Sequence, residues 1–313
     1  MKLVTKEDYK KEYQRCKSDP IHFISNYIKV VHPVRGLGAL GIAFSPIFVR
    51  LSDVDPIMTA FYRIFLSLPF FLLFSSSGVI EKIKFPDVKN YYLVFFFSGL
   101  FFALDLICWH WSIKLTTVSK STFLSNLAPV VVILFSYFFL KEKFTKFFFL
   151  AAGLSLGGMT LLLGESFQFN KDQFLGDLLG VLTAVWYGSY IITISQLRKK
   201  YNTTSIMFIS GVVTSLILII VSVFFEQQLT PQTLTSILAL FLLAFVCQFL
   251  GQALITYALA YLPASTSSLT LLIQPIAATI LGYLFFQEKL NLIQFLGCIL
   301  ILIGIYIARA KNK

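Results

Sequence analysis

Long apolar runs of about 20 residues alternate with short polar or charged breaks, the pattern of helices that cross a hydrocarbon layer of about 30 Å. Ten such runs are predicted, at 35–52, 57–77, 90–112, 117–140, 145–164, 175–197, 204–225, 235–261, 265–286 and 291–308. The breaks carry turn and charge signals, among them Ser52-Asp53-Val54-Asp55-Pro56, Lys141-Glu142-Lys143, Arg198-Lys199-Lys200, Leu262-Pro263 and Gln287-Glu288-Lys289. Several are so short that the helices they join must run antiparallel. Ahead of the first run, Ile21, Ile24, Tyr27, Ile28 and Val31 recur at helical spacing after Pro20. That spacing predicts a short helix lying on the membrane surface. No small-residue cleavage site follows the first apolar run, so no cleavable signal peptide is expected.

Composition excludes the soluble alternative. Hydrophobic residues make up 57% of the 313 positions and charged residues 13%, roughly half the share usual in soluble domains. A water-soluble particle of this size must still present a polar exterior, which 34 phenylalanines and this charge content do not supply. The net charge of +11 sits in clusters between apolar runs, with no basic face that would track phosphates, so nucleic acid is not an expected partner. Cys16, Cys108, Cys247 and Cys298 show neither metal-ligand nor disulfide spacing. No cofactor or metal is expected.

The clusters of charge set an orientation. With the N-terminus placed in the cytoplasm, the inner connections carry 20 Lys and Arg residues and the outer ones five, Arg50, Lys114, Lys120, Lys171 and Lys289. Arg63 lies within the second run. That excess predicts cytoplasmic termini, in a bacterial inner membrane.

A shift of 146 positions aligns the two halves of the chain. Pro129 falls on Pro275, Glu142-Lys143 on Glu288-Lys289, Gly158 on Gly304, Ser119 on Ser265 and Ser121 on Ser267. Each half holds five runs, an odd number, so the second copy must enter the membrane from the opposite side. Inverted repeats of this kind recur in secondary transporters, with the solute bound near the midplane between the halves. The predicted fold is therefore all-α and membrane-embedded: ten transmembrane helices as two inverted five-helix repeats around a central cavity. Its parts are an N-terminal segment 1–33, repeats 34–164 and 175–308, and a tail 309–313. Pro129 and Pro275 each free a backbone carbonyl and are candidate hinges, unless they are ordinary prolines of membrane helices.

At the junctions Leu127-Ala128-Pro129 through Leu140-Lys141-Glu142-Lys143, and Ile273-Gln274-Pro275 through Phe286-Gln287-Glu288-Lys289, the chain resembles the drug/metabolite transporter superfamily, specifically its EamA-type members. The resemblance spans about residues 35–308 and implies a ten-helix carrier with inverted halves. It specifies the fold well and the substrate poorly. The run from Asp105 through Trp109-His110-Trp111 to Ser112 is similar to a pattern of one EamA subgroup. Lys120 stands where a small or polar residue is expected.

Ionisable groups inside spans cost several kcal/mol unless they face a cavity or a partner, so they point toward function. Asp105 is mid-span, with Trp109 and Ser112 on the same helix face and His110 turned about 100° away. Asp105 and His110 suit binding of an amine-bearing solute or carriage of a proton. The alternative is a fixed pair of Asp105 with Arg63, which itself either binds an anionic group or ties helices together. In the eighth run Gln248 and Gln252 share a face that Thr256 extends, and Gly251 falls opposite Asp105 under the repeat shift. Asn126 and Gln274 lie beside the two prolines. Trp186 and Tyr190, four apart, and Tyr257 are candidates for stacking on a planar or cationic solute.

These features favour a secondary carrier for a small organic metabolite, such as an amino acid or a relative of one. Alternating access, export or exchange, and possible proton coupling through Asp105 complete the reading. A membrane enzyme and a channel or scaffold are the competing classes. The sequence offers no metal set, phosphate loop or nucleophile motif for the first, and no filter segment or repeated pore charge for the second. Solute and lipid are the expected partners, for a monomer or homodimer.

Overall fold

The structure, a computed structural model, describes residues 34, 36–86, 89–138, 141–142, 144–163, 173–261, 264–286 and 291–310. The surface helix predicted at 20–31, the pairs completed by Lys143 and by Glu288-Lys289, and the connections at 164–172 and 262–263 lie outside the described residues. Those described are helical apart from short turns, with no strand among them.

Six helices are long and apolar enough to cross a membrane: Pro56–Ser76, Tyr91–Leu115, Lys120–Phe138, Phe174–Leu197, Thr203–Phe225 and Leu234–Ala258. Gly36–Leu51, Lys146–Leu162 and Leu292–Ala308 are shorter apolar helices. The remaining predicted run, 265–286, is covered by two helices broken at Leu271-Leu272.

Several runs are interrupted partway along. The first ends in α1 (Ser45–Leu51), entered through Phe44 with Pro46 in its first turn. The second is split into α2 (Pro56–Phe65) and α3 (Leu68–Ser76), and both the amide and the hydroxyl of Ser67 donate to Ile64 O at the break, at 3.0 and 2.6 Å. The third is one continuous helix, α4 (Lys89–Leu115). The fourth is split at Asn126-Leu127 into α5 (Val118–Ser125) and α6 (Ala128–Phe138), and α7 (Lys146–Leu163) closes the first half. In the second half, α8 (Phe174–Leu197) and α9 (Thr203–Phe225) are continuous. The eighth run is α10 (Leu234–Leu242), a π-helical stretch Leu243–Gln252, and α11 (Ala253–Ala258). Last come α12 (Ala264–Thr270), α13 (Ile273–Phe286) and α14 (Leu292–Ala310).

The sequence predicts Pro129 and Pro275 as hinges within continuous apolar runs. Each instead occupies the first turn of a new helix, as the second residue of α6 and the third of α13. There a missing N–H costs nothing, since first-turn amides have no intrahelical partner. The breaks precede the prolines, and their amides turn to nearer carbonyls: Leu127 N to Leu124 O at 3.1 Å, and Gln274 N to Leu271 O at 2.8 Å.

α7 and α14 pack through small residues. A Cβ built on Gly158 would lie 2.7 Å from Gly297 O and 2.7 Å from Ile301 N, and one on Gly304 would lie 2.6 Å from Ala151 O and 2.8 Å from Ser155 N. Only glycine permits backbones to approach this closely. As numbers rise along α7 they fall along α14, so the helices run antiparallel. Shifting the contact of Gly158 with Gly297 by 146 in each direction turns it into that of Gly304 with Ala151.

At one end of the bundle, the turn after α1 is fastened to the turn after α9. Glu226 accepts from Ile57 N at 2.6 Å and Met58 N at 2.7 Å, capping α2 from the other half. Asp55 accepts from Gln227 N and Gln228 N, both at 3.0 Å, and Asp53 from Thr233 N at 3.0 Å. At the other end the fastening is uncharged: Asn202 Nδ2 donates to Lys82 O at 2.8 Å, and Lys84 N to Ser205 Oγ at 2.7 Å.

Candidate functional site

Between the broken helices lies a cavity of about 90 Å³. It is near mid-depth. Asp105 is ten residues from the end of the 27-residue α4, hence about 15 Å along it. Both halves contribute to the wall: Ser45, Arg63, Asp105, Trp109 and Asn126 from the first, Thr183, Tyr187, Gln252 and Gln274 from the second.

Two charged residues line it, Arg63 at 4% exposure and Asp105 at 6%. Arg63 is held from two sides. Its Nε donates to Gln248 Oε1 at 3.3 Å and its Nη1 to Ser45 Oγ at 3.1 Å. Both acceptors are neutral. Arg63 and Asp105 do not approach within the 4.0 Å of a direct ion pair, and the Asp105 carboxylate makes no hydrogen bond to a described residue. The fixed-pair alternative is therefore not what the geometry shows. Two opposite charges face one hollow, near enough to attract each other across it but with no direct ion pair between them.

The amide-bearing residues divide. Gln248 is spent on Arg63, while Gln252 lines the cavity with its Oε1 facing the Tyr187 hydroxyl at 3.5 Å and its Nε2 unpartnered. Gln274 Nε2 is likewise buried without a partner. Asn126 lines the cavity, but its Nδ2 donates to Thr122 O at 2.8 Å, one turn back in its own run. Ser125 and Thr183 also spend their hydroxyls on backbone carbonyls, at 3.0 Å each. Thr256 does not extend the glutamine face toward the site; its hydroxyl meets Met207 Sδ at 3.3 Å.

Other predicted residues lie away from the wall. His110 is 1% exposed, against the backbone of Pro56, and neither ring nitrogen makes a hydrogen bond of normal geometry. Trp186 stacks on Phe101 at 6.0 Å, and Tyr190 lies behind the cavity, stacked on the wall residue Phe102 at 4.3 Å. Tyr257 packs with Tyr261 at 5.2 Å. Ser112 anchors α4 to α8 through Gly176 O at 2.7 Å. Pro129 is on the wall and Pro275 is not.

Sequence reasoning missed Tyr187, Thr183 and the Ser45-Pro46 step. Thr183 and Tyr187 are four apart, as are Trp186 and Tyr190, and size drew attention to the pair that does not line the cavity. The signal available for Ser45-Pro46 was a polar residue and a proline inside an apolar run.

The sequence model of the EamA-like transporter family matches residues 36–164 and 174–310. A pseudopaline exporter of Pseudomonas aeruginosa is 27% identical over 216 residues, 68% of this chain and 74% of that protein. An uncharacterized transporter of Archaeoglobus fulgidus is 24% identical over 271 residues, 87% of this chain and 82% of its own. One of Bacillus subtilis is 22% identical over 278 residues, 88% and 90%. A solved crystal structure with 17% identity superimposes with a TM-score of 0.74, covering 90% of this chain and 98% of that one, which shows a shared fold.

Proposed function

This chain belongs to the EamA-like transporter family, and we propose that it is a secondary carrier of a small zwitterionic metabolite, an amino acid or a relative of one, working by alternating access. It is a membrane transporter and not an enzyme. The observation that carries the proposal is the separation of Arg63 from Asp105 across the cavity. A solute with a carboxylate and an ammonium group supplies the direct charged partner that each of them lacks, and a net-neutral solute leaves the cavity neutral. Trp109, four residues from Asp105 on the same helix, also lines the wall and is the proposed aromatic partner of the ammonium group.

The architecture proposed is ten crossing helices in two inverted halves. In its support, the antiparallel contact of α7 with α14 maps onto itself under the repeat shift, as a two-fold axis in the membrane plane requires. The helices broken beside the cavity give each half a place to bend, so Pro129 and Pro275 keep their proposed hinge role. The Lys and Arg asymmetry supports cytoplasmic termini and an inner-membrane location. Export is the direction favoured, because the Pseudomonas relative is named an exporter. Coupling to protons is assigned to Asp105.

Counterflow into proteoliposomes tests the reading. Saturable exchange of amino acids is expected. Arg63→Met and Asp105→Asn should each lower it by at least tenfold, since each removes a charge-assisted contact of about 1.5–3 kcal/mol. Asp105→Asn should also abolish uptake driven by a pH gradient. Proton-driven uptake undiminished in that variant would remove the coupling, and counterflow indifferent to both variants would remove the site.

A further inference from the structure

The cavity holds more hydrogen-bond donors than a simple zwitterion can satisfy. Arg63 carries five N–H donors and gives two bonds to neutral oxygens, which leaves its outer nitrogen for a carboxylate. Beyond it, Gln252 Nε2 and Gln274 Nε2 are both buried with no partner. Gln252 is only 1% exposed, and both glutamines border the same hollow. Against these donors the wall has little to offer. The hydroxyls of Ser125 and Thr183 and the amide nitrogen of Asn126 are bonded to backbone carbonyls of their own helices. The Tyr187 hydroxyl faces the oxygen of Gln252, not its nitrogen, and the Tyr190 hydroxyl beside Gln252 is buried without a hydrogen bond of normal geometry to it.

Two orphan amides on one small cavity are costly unless the cargo completes them. We infer that Gln252 and Gln274 form a second subsite, which recognises a carbonyl oxygen on the solute apart from its α-carboxylate. This rests on the zwitterion reading and narrows it. Charge decides what kind of acceptor fits. Arg63 and Asp105 already balance a zwitterion, and no further cation lines the cavity among the described residues. An extra carboxylate would bring an uncompensated negative charge to mid-depth, whereas a neutral carbonyl would not. The solute class is therefore an amino acid bearing a carboxamide or amide-linked carbonyl in its side chain.

Glutamine, methionine and glutamate have side chains of similar length and differ in the terminal group, so they are the probes. In counterflow with the intact protein, glutamine should be preferred over methionine by about tenfold, the value of one or two hydrogen bonds to a buried amide. Glutamine should also be preferred over glutamate. In Gln252→Leu and in Gln274→Leu the ratio of glutamine to methionine should fall toward one. Ligand-induced thermal stabilisation of the purified wild-type protein reads the same preference without any variant. Equal response to glutamine and methionine in the wild type overturns the subsite while leaving the zwitterion site standing. So does a ratio unchanged in both leucine variants, and so does a preference for glutamate. No response to any of the three overturns the zwitterion reading and the subsite with it.

Discussion

Gly157 and Gly158 are adjacent in α7 but point to opposite surroundings, so alanine at each separates backbone propensity from packing. A Cβ on Gly157 meets nothing within 4 Å. A Cβ on Gly158 lies 2.7 Å from two backbone atoms of α14, about 0.7 Å short of the 3.4 Å at which ordinary contact begins. Neither of those atoms can rotate away, so the helices must part along their contact. Both alanines gain about 1 kcal/mol of helix propensity. Overpacking at Gly158 costs about 1–3 kcal/mol in addition, and that cost is the difference between the two variants. In thermal unfolding of the purified protein, Gly157→Ala should melt at or slightly above the wild type, and Gly158→Ala several degrees below Gly157→Ala. Gly304→Ala, which drives a Cβ to 2.6 Å from Ala151 O, should behave like Gly158→Ala because it occupies the equivalent place in the other half. If Gly158→Ala melts as high as Gly157→Ala, the close antiparallel contact is wrong and its support for the two-fold arrangement is lost.

The charged fastening gives pH predictions of opposite sign. Asp55 is held below the usual carboxylate range by the amide of Gln228, then that of Gln227 and the nearby Lys114, and Asp53 by the Ser236 hydroxyl first. Their contributions are present above the ordinary 3.8 and are lost as pH falls through their lowered values. Melting temperature should therefore fall in acid, and less steeply in Asp55→Asn; an unchanged slope refutes this. Burial raises Glu226 above its ordinary 4.5, so its contribution is complete below 4.5 and is lost as pH rises through the raised value. Glu226→Gln should thus compare best with the wild type at neutral pH, and a difference constant with pH would count against it. Arg198, 5% exposed, donates to Thr256 O at 3.1 Å and to Tyr201 O at 2.7 Å. Arg198→Met should cost about 1–3 kcal/mol for each carbonyl left buried, seen as a drop in melting temperature larger than that of the exposed Lys199→Met.

What this sequence determined alone was the helical and membrane character, the positions of the apolar runs, and which polar residues are out of place in them. Those features are one-dimensional: run length, charge excess and a periodic match between halves survive without any knowledge of packing. Asp105, Arg63, Gln252 and Gln274 stood out because hydrocarbon makes an ionisable or amide group conspicuous wherever it falls. Azimuth was not legible. A helix apolar on every side carries no stripe to say which face meets the cavity, so Trp186 and Tyr190 stood as candidates although Thr183 and Tyr187 face inward. The sequence marked Pro129 and Pro275 as special, but the neighbouring hydrogen bonds alone show helices broken ahead of them. Likewise Arg63 and Asp105 could be paired on paper. Only the positions of α2 and α4, set by packing against the rest of the bundle, hold the two charges apart and leave room for something between them.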